Sequence, residues 1–275
     1  MNFHSDSWIM GRVSEHYDEA VSIMGEDRVL GVFYQGSGNY GLDYEGSDVD
    51  TKCIVLPSLD SLVKGDAPLS TTHIRANDEH IDFKDIRAIL STFLKGNINF
   101  LEILFTQYYK LNPLYENDMY ALFGFGSIIA EYRRGSILKS IYGVAAEKYH
   151  ALEHPYPSRM TWINKFGYDP KQLHHLLRLN EFIKRFDDGE SFGSCLIANN
   201  PVEHIEVKLG KYTHEDAVKL ALESMSEITQ IRNDTSIVDD INMNKYMSDI
   251  EAWKTKLIKR GIIIDVTKEL NYNGK

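Results

Sequence analysis

The sequence predicts an α+β protein, with a mixed sheet and flanking helices in residues 1–115 and an all-helical part in residues 116–275. Most short apolar runs rich in β-branched and aromatic residues, which are typical of strands, precede Ile86, and two of them are closed by a glycine or a proline. After Ile86, apolar residues recur mainly at helical spacing. The boundary between the two parts is expected between Tyr108 and Gly126.

The elements of the first part follow from local patterns. Residues 13–28 carry apolar positions at helical spacing and predict an amphipathic helix. The run VLGVFYQ, residues 29–35, predicts a buried strand, and DTKCIVL, residues 50–56, predicts a second strand that stops at a proline. The segments TTHIRA and EHIDF flank Asn77-Asp78, which predicts a hairpin with a two-residue turn.

Six later segments predict helices. They are IRAILSTFLKG, INFLEILF, SILKSIYGVAAEKYHALE, PKQLHHLLRLNEFIKRF, EDAVKLALESMSEIT and NKYMSDIEAWKTKLIKR. Residues 189–212 are interpreted as a long surface connection, within which VEHIEVKLG is a candidate strand.

Composition restricts the class of protein. The formal net charge of −10 argues against a protein that coats nucleic acid non-specifically, although a local basic groove remains compatible with it. No run approaches the roughly 18 apolar residues of a membrane span, and the first residues do not have the pattern of a signal peptide. Cys53 and Cys195 form no CxxC motif and are expected to be reduced. The sequence therefore predicts a cytoplasmic protein without a membrane partner.

The stretch VFYQGSGNYGLDYEGSDVDTK carries the chemistry. Gly36-Ser37 follows a predicted strand, where backbone N–H groups at the start of a helical turn favour a phosphate. Asp48 and Asp50 are separated by one residue, so in a strand both carboxylates project to one side. Two such carboxylates suit Mg²⁺, whose other ligands are commonly substrate phosphates.

A second metal ion would need a third carboxylate. Asp82 and Asp85 both follow in IDFKD. Asp82 falls in the middle of a predicted strand, where aspartate is disfavoured unless it has a role. Asp85 precedes a predicted helix, where capping is a sufficient explanation. Asp82 is therefore the predicted third carboxylate.

Gly36-Ser37, Asp48-Val49-Asp50 and Asp82 together resemble the GS…DxD…D signature of the DNA polymerase β-like nucleotidyltransferase superfamily. Residues 81–106 resemble the segment after the third carboxylate in the RlaP/YcgL-like predicted nucleotidyltransferases. Residues 167–183 are similar to a helix found downstream in that group. The resemblance covers most of residues 30–185, and the last 90 residues show none.

The resemblance implies an enzyme that transfers a nucleoside monophosphate from an NTP such as ATP to a hydroxyl and releases pyrophosphate. Gly36 and Ser37 would hold the β- and γ-phosphates. Asp48 and Asp50 would bind two Mg²⁺ ions, for which Mn²⁺ could substitute, and Asp82 would bind the catalytic ion and help to deprotonate the acceptor. Phosphoryl transfer depends mainly on such positioning and charge neutralisation.

The helical part is expected to close over the nucleotide or bind the acceptor. Lys171, His175 and Arg178 are spaced by four and three residues, so they share one helix face that could meet triphosphate oxygens or simply face solvent. Lys139 is a further candidate for phosphate contact, preferred over Lys148. Glu102 is interpreted mainly as a buried structural carboxylate.

Several functions remain open at this point. The acceptor could be an RNA or tRNA end, a protein side chain or a small molecule. A toxin–antitoxin-type nucleotidyltransferase that modifies a partner is a second possibility. A nucleotide-binding sensor without turnover is the alternative from a different class, although the presence of all three carboxylates disfavours it.

Overall fold

The computed structural model describes residues 3–234 and 238–273. Its first elements are α1 (Asp6–Met24), β1 (Val29–Gln35), β2 (Asp50–Val55), α2 (Leu59–Lys64), β3 (Ser70–Ile74), β4 (His80–Asp85), α3 (Ile86–Leu94), α4 (Ile98–Leu101) and β5 (Tyr109–Leu111). They are followed by α5 (Glu116–Tyr132), α6 (Arg134–Ala151), α7 (Met160–Phe166), α8 (Pro170–Asp187), α9 (Phe192–Leu196), α10 (Pro201–Lys208), α11 (His214–Arg232) and α12 (Asn244–Asn273). Within the described ranges, no helix is both long and apolar enough to cross a membrane.

The strands form a mixed five-stranded sheet in the order β3-β4-β2-β1-β5. β2 and β4 are parallel, whereas the pairs β1–β2, β1–β5 and β3–β4 are antiparallel. The predicted α+β class, with a mixed sheet and many helices, is therefore confirmed.

Side chains alternate between the two faces of the sheet along each strand, and each face packs against its own hydrophobic core. Ile9 and Val13 of α1 pack on one face of the sheet, together with Cys53 of β2 and Phe83 of β4. The opposite face packs on the helices, in a cluster that extends from Ile54 into α8 and α11. Because successive strand residues point to opposite faces, the polar positions of β2 and β4 between these apolar ones project toward the helical side.

The hairpin between β3 and β4 forms, but its turn differs from the prediction. Ile74 pairs with His80, and the Arg75 N–H donates to the Glu79 carbonyl. Three residues, 76–78, therefore form the turn. Asp78 takes a positive φ of 63°, which aspartate tolerates better than most residues.

The strand considered within residues 189–212 is wrong, because this segment contains α9 and α10. Asn200 caps α10 by accepting a hydrogen bond from the Glu203 N–H, and Pro201 occupies the first turn. Asparagine at the cap and proline just inside it favour a helix start. The burial of His204 and Val207, three residues apart, then follows helical rather than strand periodicity.

Candidate active site between the sheet and the helices

A cleft separates the ends of β1 and β2 from the helical part. One side, here called the sheet wall, consists of Gly36, Ser37, Tyr40, Asp48 and Asp50. The opposite side, here called the helical wall, carries Lys148, Lys171, His174, His175, Arg178 and Lys208. The cleft thus brings together seven of the nine predicted site residues, all except Asp82 and Lys139.

The turn after β1 requires glycine. Gly36 has φ 111° and ψ −152°, a conformation that is essentially limited to glycine. A 3-10 turn over Ser37–Tyr40 follows, and the Gly38 N–H donates a hydrogen bond of 2.8 Å to the Tyr34 hydroxyl. A Cβ atom at Gly38 would lie 2.8 Å from the Tyr34 ring. These contacts fix the backbone conformation of the turn that connects the buried strand to the cleft.

Glu102 supports this turn from behind. Its side chain is buried and accepts hydrogen bonds from the Gly36 N–H and the Tyr40 hydroxyl. Burial raises the pKa of Glu102 to about 8, although the Arg178 charge and the Gly36 N–H oppose the shift. The contacts agree with the interpretation of Glu102 as a buried structural carboxylate, and they connect it to the sheet wall.

Asp48 and Asp50 meet at the rim of the sheet wall. Asp48 is exposed in the loop before β2, and Asp50 opens the strand. The Asp50 carboxylate accepts a hydrogen bond of 2.8 Å from the His80 N–H and lies 3.1 Å from the His80 ring. Burial and the negative charge of Asp48 raise the pKa of Asp50. A divalent cation would relieve this repulsion, so the pair has the chemistry of a Mg²⁺ or Mn²⁺ site.

Asp82, unlike this pair, does not line the cleft. It is in register with Lys52, and the Lys52 Nζ is 3.3 Å from one carboxylate oxygen, while the Thr72 hydroxyl donates to the other. Burial alone would raise the pKa of Asp82, but the Thr72 hydrogen bond and the Lys52 charge hold it below its usual value. In the part of the chain that the structure describes, no group of three or more His, Cys, Asp or Glu side chains is placed to hold a metal ion. Asp82 as a metal ligand stays a prediction.

Asp85, the other carboxylate of that strand, has the role that capping predicts. It is the N-cap of α3 and accepts a hydrogen bond from the Arg87 N–H. It also forms an ion pair with the Arg87 side chain. Both interactions give the Asp85 carboxylate a structural role, and Asp85 does not line the cleft.

The helical wall is built mainly by α8. Lys171, His175 and Arg178 lie on its cleft-facing side, as their spacing predicts, and His174 lines the cleft beside them. Arg178 is only 6% exposed, and its guanidinium lies 3.8 Å from the centroid of the Tyr40 ring. Burial lowers the pKa of Arg178 to about 10 and that of both histidines well below the usual value.

Several buried nitrogens of this wall lack partners. Among the described residues, neither ring nitrogen of His174 makes a hydrogen bond, and neither do Nε and Nη1 of Arg178. Unsatisfied buried donors are costly, and native structures keep few of them. The donors of Arg178 therefore point to an anionic ligand that enters the cleft.

Lys148 takes the place that was predicted for Lys139. Both belong to α6, but Lys139 is exposed and is not among the residues that line the cleft. The two lysines are nine residues apart, which is about two and a half helical turns at roughly 3.6 residues per turn. They consequently lie on opposite faces of α6, and only one of them can face the sheet wall.

Lys208, at the end of α10, was missed by sequence reasoning. Its Nζ lies 4.2 Å from the centroid of the Tyr44 ring. Burial and the positive charge of Lys171 lower the pKa of Lys208 to about 8, and the charge of Asp48 opposes the shift. The available signal was the Asn200-Pro201 helix start, after which His204 and Lys208 share one face.

Comparison with known proteins assigns no family. A scan against protein-family models finds no match to the chain, and a search of curated proteins finds no relative. Function has to be inferred from the cleft and from the motifs that line it.

Proposed function

We propose that the protein is a Mg²⁺-dependent nucleotidyltransferase of the polymerase β-like type, which moves a nucleoside monophosphate from an NTP to a hydroxyl acceptor. The main support for the proposal is that the two walls face each other across the cleft with opposite charge. Two carboxylates and a glycine-bounded turn face a set of cationic and unpartnered donor side chains across one cleft. A metal-bound triphosphate is complementary to both walls at once.

Each wall has its own part in the reaction. Asp48 and Asp50 would hold the divalent cation, which when bound neutralises developing charge on the phosphates. Gly36 and Ser37 line the cleft with this pair and would hold the β- and γ-phosphates. Lys171, His175 and Arg178 line the opposite side, from which they would contact the triphosphate and fix its orientation.

The transfer conserves atoms without any redox partner. The acceptor oxygen forms a bond to the α-phosphorus, the bond to the bridging oxygen breaks, and pyrophosphate leaves. The acceptor hydroxyl loses its proton. The resemblance implies that Asp82 helps to remove it, a role that the ion pair of Asp82 with Lys52 disfavours. Positioning and charge neutralisation supply most of the catalysis in such reactions.

A cytoplasmic location belongs to the same proposal. Cys53 and Cys195 are both free and buried. Unpaired thiols suit a reducing compartment, where NTPs and Mg²⁺ are also available.

Transfer is tested with each α-labelled NTP and Mg²⁺, alone, with total cellular RNA and with protein extract. The wild type is compared with Asp48→Asn/Asp50→Asn, which keeps the side-chain shapes and removes both charges. Asp60→Asn is the matched control, because Asp60 is an exposed residue of α2. Loss of the cation site should lower transfer by roughly a thousandfold or more, since several kcal/mol of charge stabilisation are removed.

The label also identifies the acceptor class. Label on RNA or on protein, present with the wild type and the control but lost with the double variant, would support the proposal. Nucleotide binding with no labelled product of any size would instead indicate a sensor. Transfer that persists in the double variant would show that the site is elsewhere.

A further inference from the structure

Lys52 is a lysine in an unusual place. It lies on β2 two residues after Asp50, so both side chains project from the same face of the sheet. The Lys52 side chain is 4% exposed, and its Nζ is 3.3 Å from the Asp82 carboxylate. The same nitrogen lies 4.3 Å from the centroid of the Phe100 ring. Lysine is rarely buried unless it is paired, and Asp82 provides that pairing.

The ammonium is paired with the carboxylate that a second metal ion would need as a ligand. It interacts electrostatically with both Asp50 and Asp82, because Lys52 follows the first in β2 and pairs with the second across β4. Both Asp82 oxygens are already engaged, one by Lys52 and one by Thr72. A divalent cation at Asp82 would be repelled by the ammonium, which lies 3.3 Å from the carboxylate oxygen in surroundings where charges are poorly screened.

Resting on the proposed function, we infer that Lys52 replaces the second metal ion and that the cleft binds a single divalent cation. Asp48 and Asp50 hold that cation, and Asp82 serves as the counter-ion of Lys52. Lys52 is thus a positioning residue, which keeps a positive charge beside the site without a metal. The resemblance implied two ions at three carboxylates, and the Lys52–Asp82 pair is the specific point of difference.

The number of bound ions tests this inference directly. Mn²⁺ is titrated into the protein with an excess of an NTP analogue whose α,β-bridge is methylene, and bound ions per chain are counted by electron paramagnetic resonance. The ions that the free analogue binds are subtracted. The wild type should bind one ion per chain.

Three variants separate Lys52 from its surroundings. Lys52→Met removes the charge but keeps an apolar side chain of similar length on Phe100, so it should free Asp82 and bind two ions. Lys52→Met/Asp82→Asn should return to one ion. Lys84→Met is the matched control, because Lys84 is a neighbouring lysine on β4 whose Nζ donates to Ser70, and it should stay at one ion.

Each result decides the inference. Two ions on the wild type would overturn it and leave the nucleotidyltransferase proposal intact. One ion on a folded Lys52→Met, checked by thermal unfolding, would also overturn it. Absence of analogue binding and of bound Mn²⁺ in the wild type would instead contradict the proposed function. If Lys52→Met does not fold, ion counts on the wild type and on Asp82→Asn test the inference instead. Both proteins should bind one ion.

Discussion

The two walls of the cleft are built in different ways. All residues of the sheet wall fall within the fifteen residues from Gly36 to Asp50, where a strand, a glycine turn and a second strand fix their positions. The helical wall consists of side chains from α6, α8 and α10, and these side chains lie between positions 148 and 208. Functional residues within one short stretch can be identified from local sequence, whereas functional residues from separate helices can be grouped only when the packing of those helices is known.

The walls also differ in charge, and each carries charge that its surroundings compensate only in part. Burial and like charge raise the pKa of Asp50, whereas burial lowers the pKa values of Arg178 and Lys208. Among the described residues, no ion pair joins Asp48 or Asp50 to a lysine or arginine of the helical wall. A bound metal–triphosphate would stabilise the charged forms of the groups on both walls, so variants of each wall can test its contribution separately.

On NTP affinity, the largest effect is expected from Arg178→Met on the helical wall. This change removes buried donors that have no protein partner. Hydrogen bonds to charged groups contribute about 1.5–3 kcal/mol, so NTP affinity should fall by roughly tenfold to a hundredfold. Isothermal titration calorimetry with the non-hydrolysable analogue measures the change.

Lys184→Met is the matched control for that experiment. Lys184 belongs to the same helix, but it is half-exposed and pairs with Glu227 outside the cleft. Its loss should leave NTP affinity nearly unchanged. Equal losses for the two variants would show that the helical wall attracts the nucleotide only through its overall charge.

A separate effect, on stability rather than on NTP affinity, is expected behind the sheet wall, at Glu102. Its pKa rises from the ordinary 4.5 to about 8 in the folded protein. The folded state therefore holds this proton between those pH values and the unfolded state does not. The stabilisation is complete below about pH 4.5 and is lost as the pH rises through about 8, with a slope of up to about 1.4 kcal/mol per pH unit.

Glu102→Gln removes this titration while keeping an acceptor for the Gly36 N–H. Urea unfolding of both proteins at several pH values should show the wild type losing free energy of unfolding relative to the variant as the pH rises. Parallel stability curves from about pH 5 to about pH 8 would contradict the protonated, buried state of Glu102.

The smallest effect is expected at Lys208. The pKa of Lys208 is about 8 in the free protein, so its amine is largely neutral above that pH. Binding of an anion at higher pH therefore requires Lys208 to take up a proton. NTP affinity should therefore decline as the pH rises past about 8, by up to about fivefold for this partly exposed charge. Lys208→Met should bind more weakly at neutral pH and lose this part of the decline.

Lys211→Met is the comparison for Lys208, because Lys211 pairs with Glu206 and has a raised pKa. It should keep both the affinity and the pH dependence of the wild type. An unchanged decline in the Lys208 variant would assign the titration to another group of the cleft.

Much of the sheet wall could be predicted because its constraints are local. The strand over residues 29–35 is confirmed with the predicted bounds, and the second strand begins at Asp50 as predicted. Gly36 is required by the backbone conformation of the turn itself. The Lys52–Asp82 pair could not be predicted in the same way, because it depends on the parallel register of β2 and β4.

The helical wall shows where sequence reasoning stops. Lys171, His175 and Arg178 share one face of a single helix, so their spacing was sufficient to group them. Lys208 belongs to a different helix, within a segment that was interpreted as a connection or a strand. Glu102 was interpreted as buried, but its contact with the Gly36 turn depends on the packing of distant segments.

The most direct test of the two-wall account is a crystal structure with Mn²⁺ and the non-hydrolysable NTP analogue. An anomalous scattering peak is expected between the Asp48 and Asp50 carboxylates. Triphosphate oxygens are expected within hydrogen-bond distance of Arg178. A nucleotide bound outside the cleft, or a triphosphate whose metal contacts neither aspartate, would contradict it.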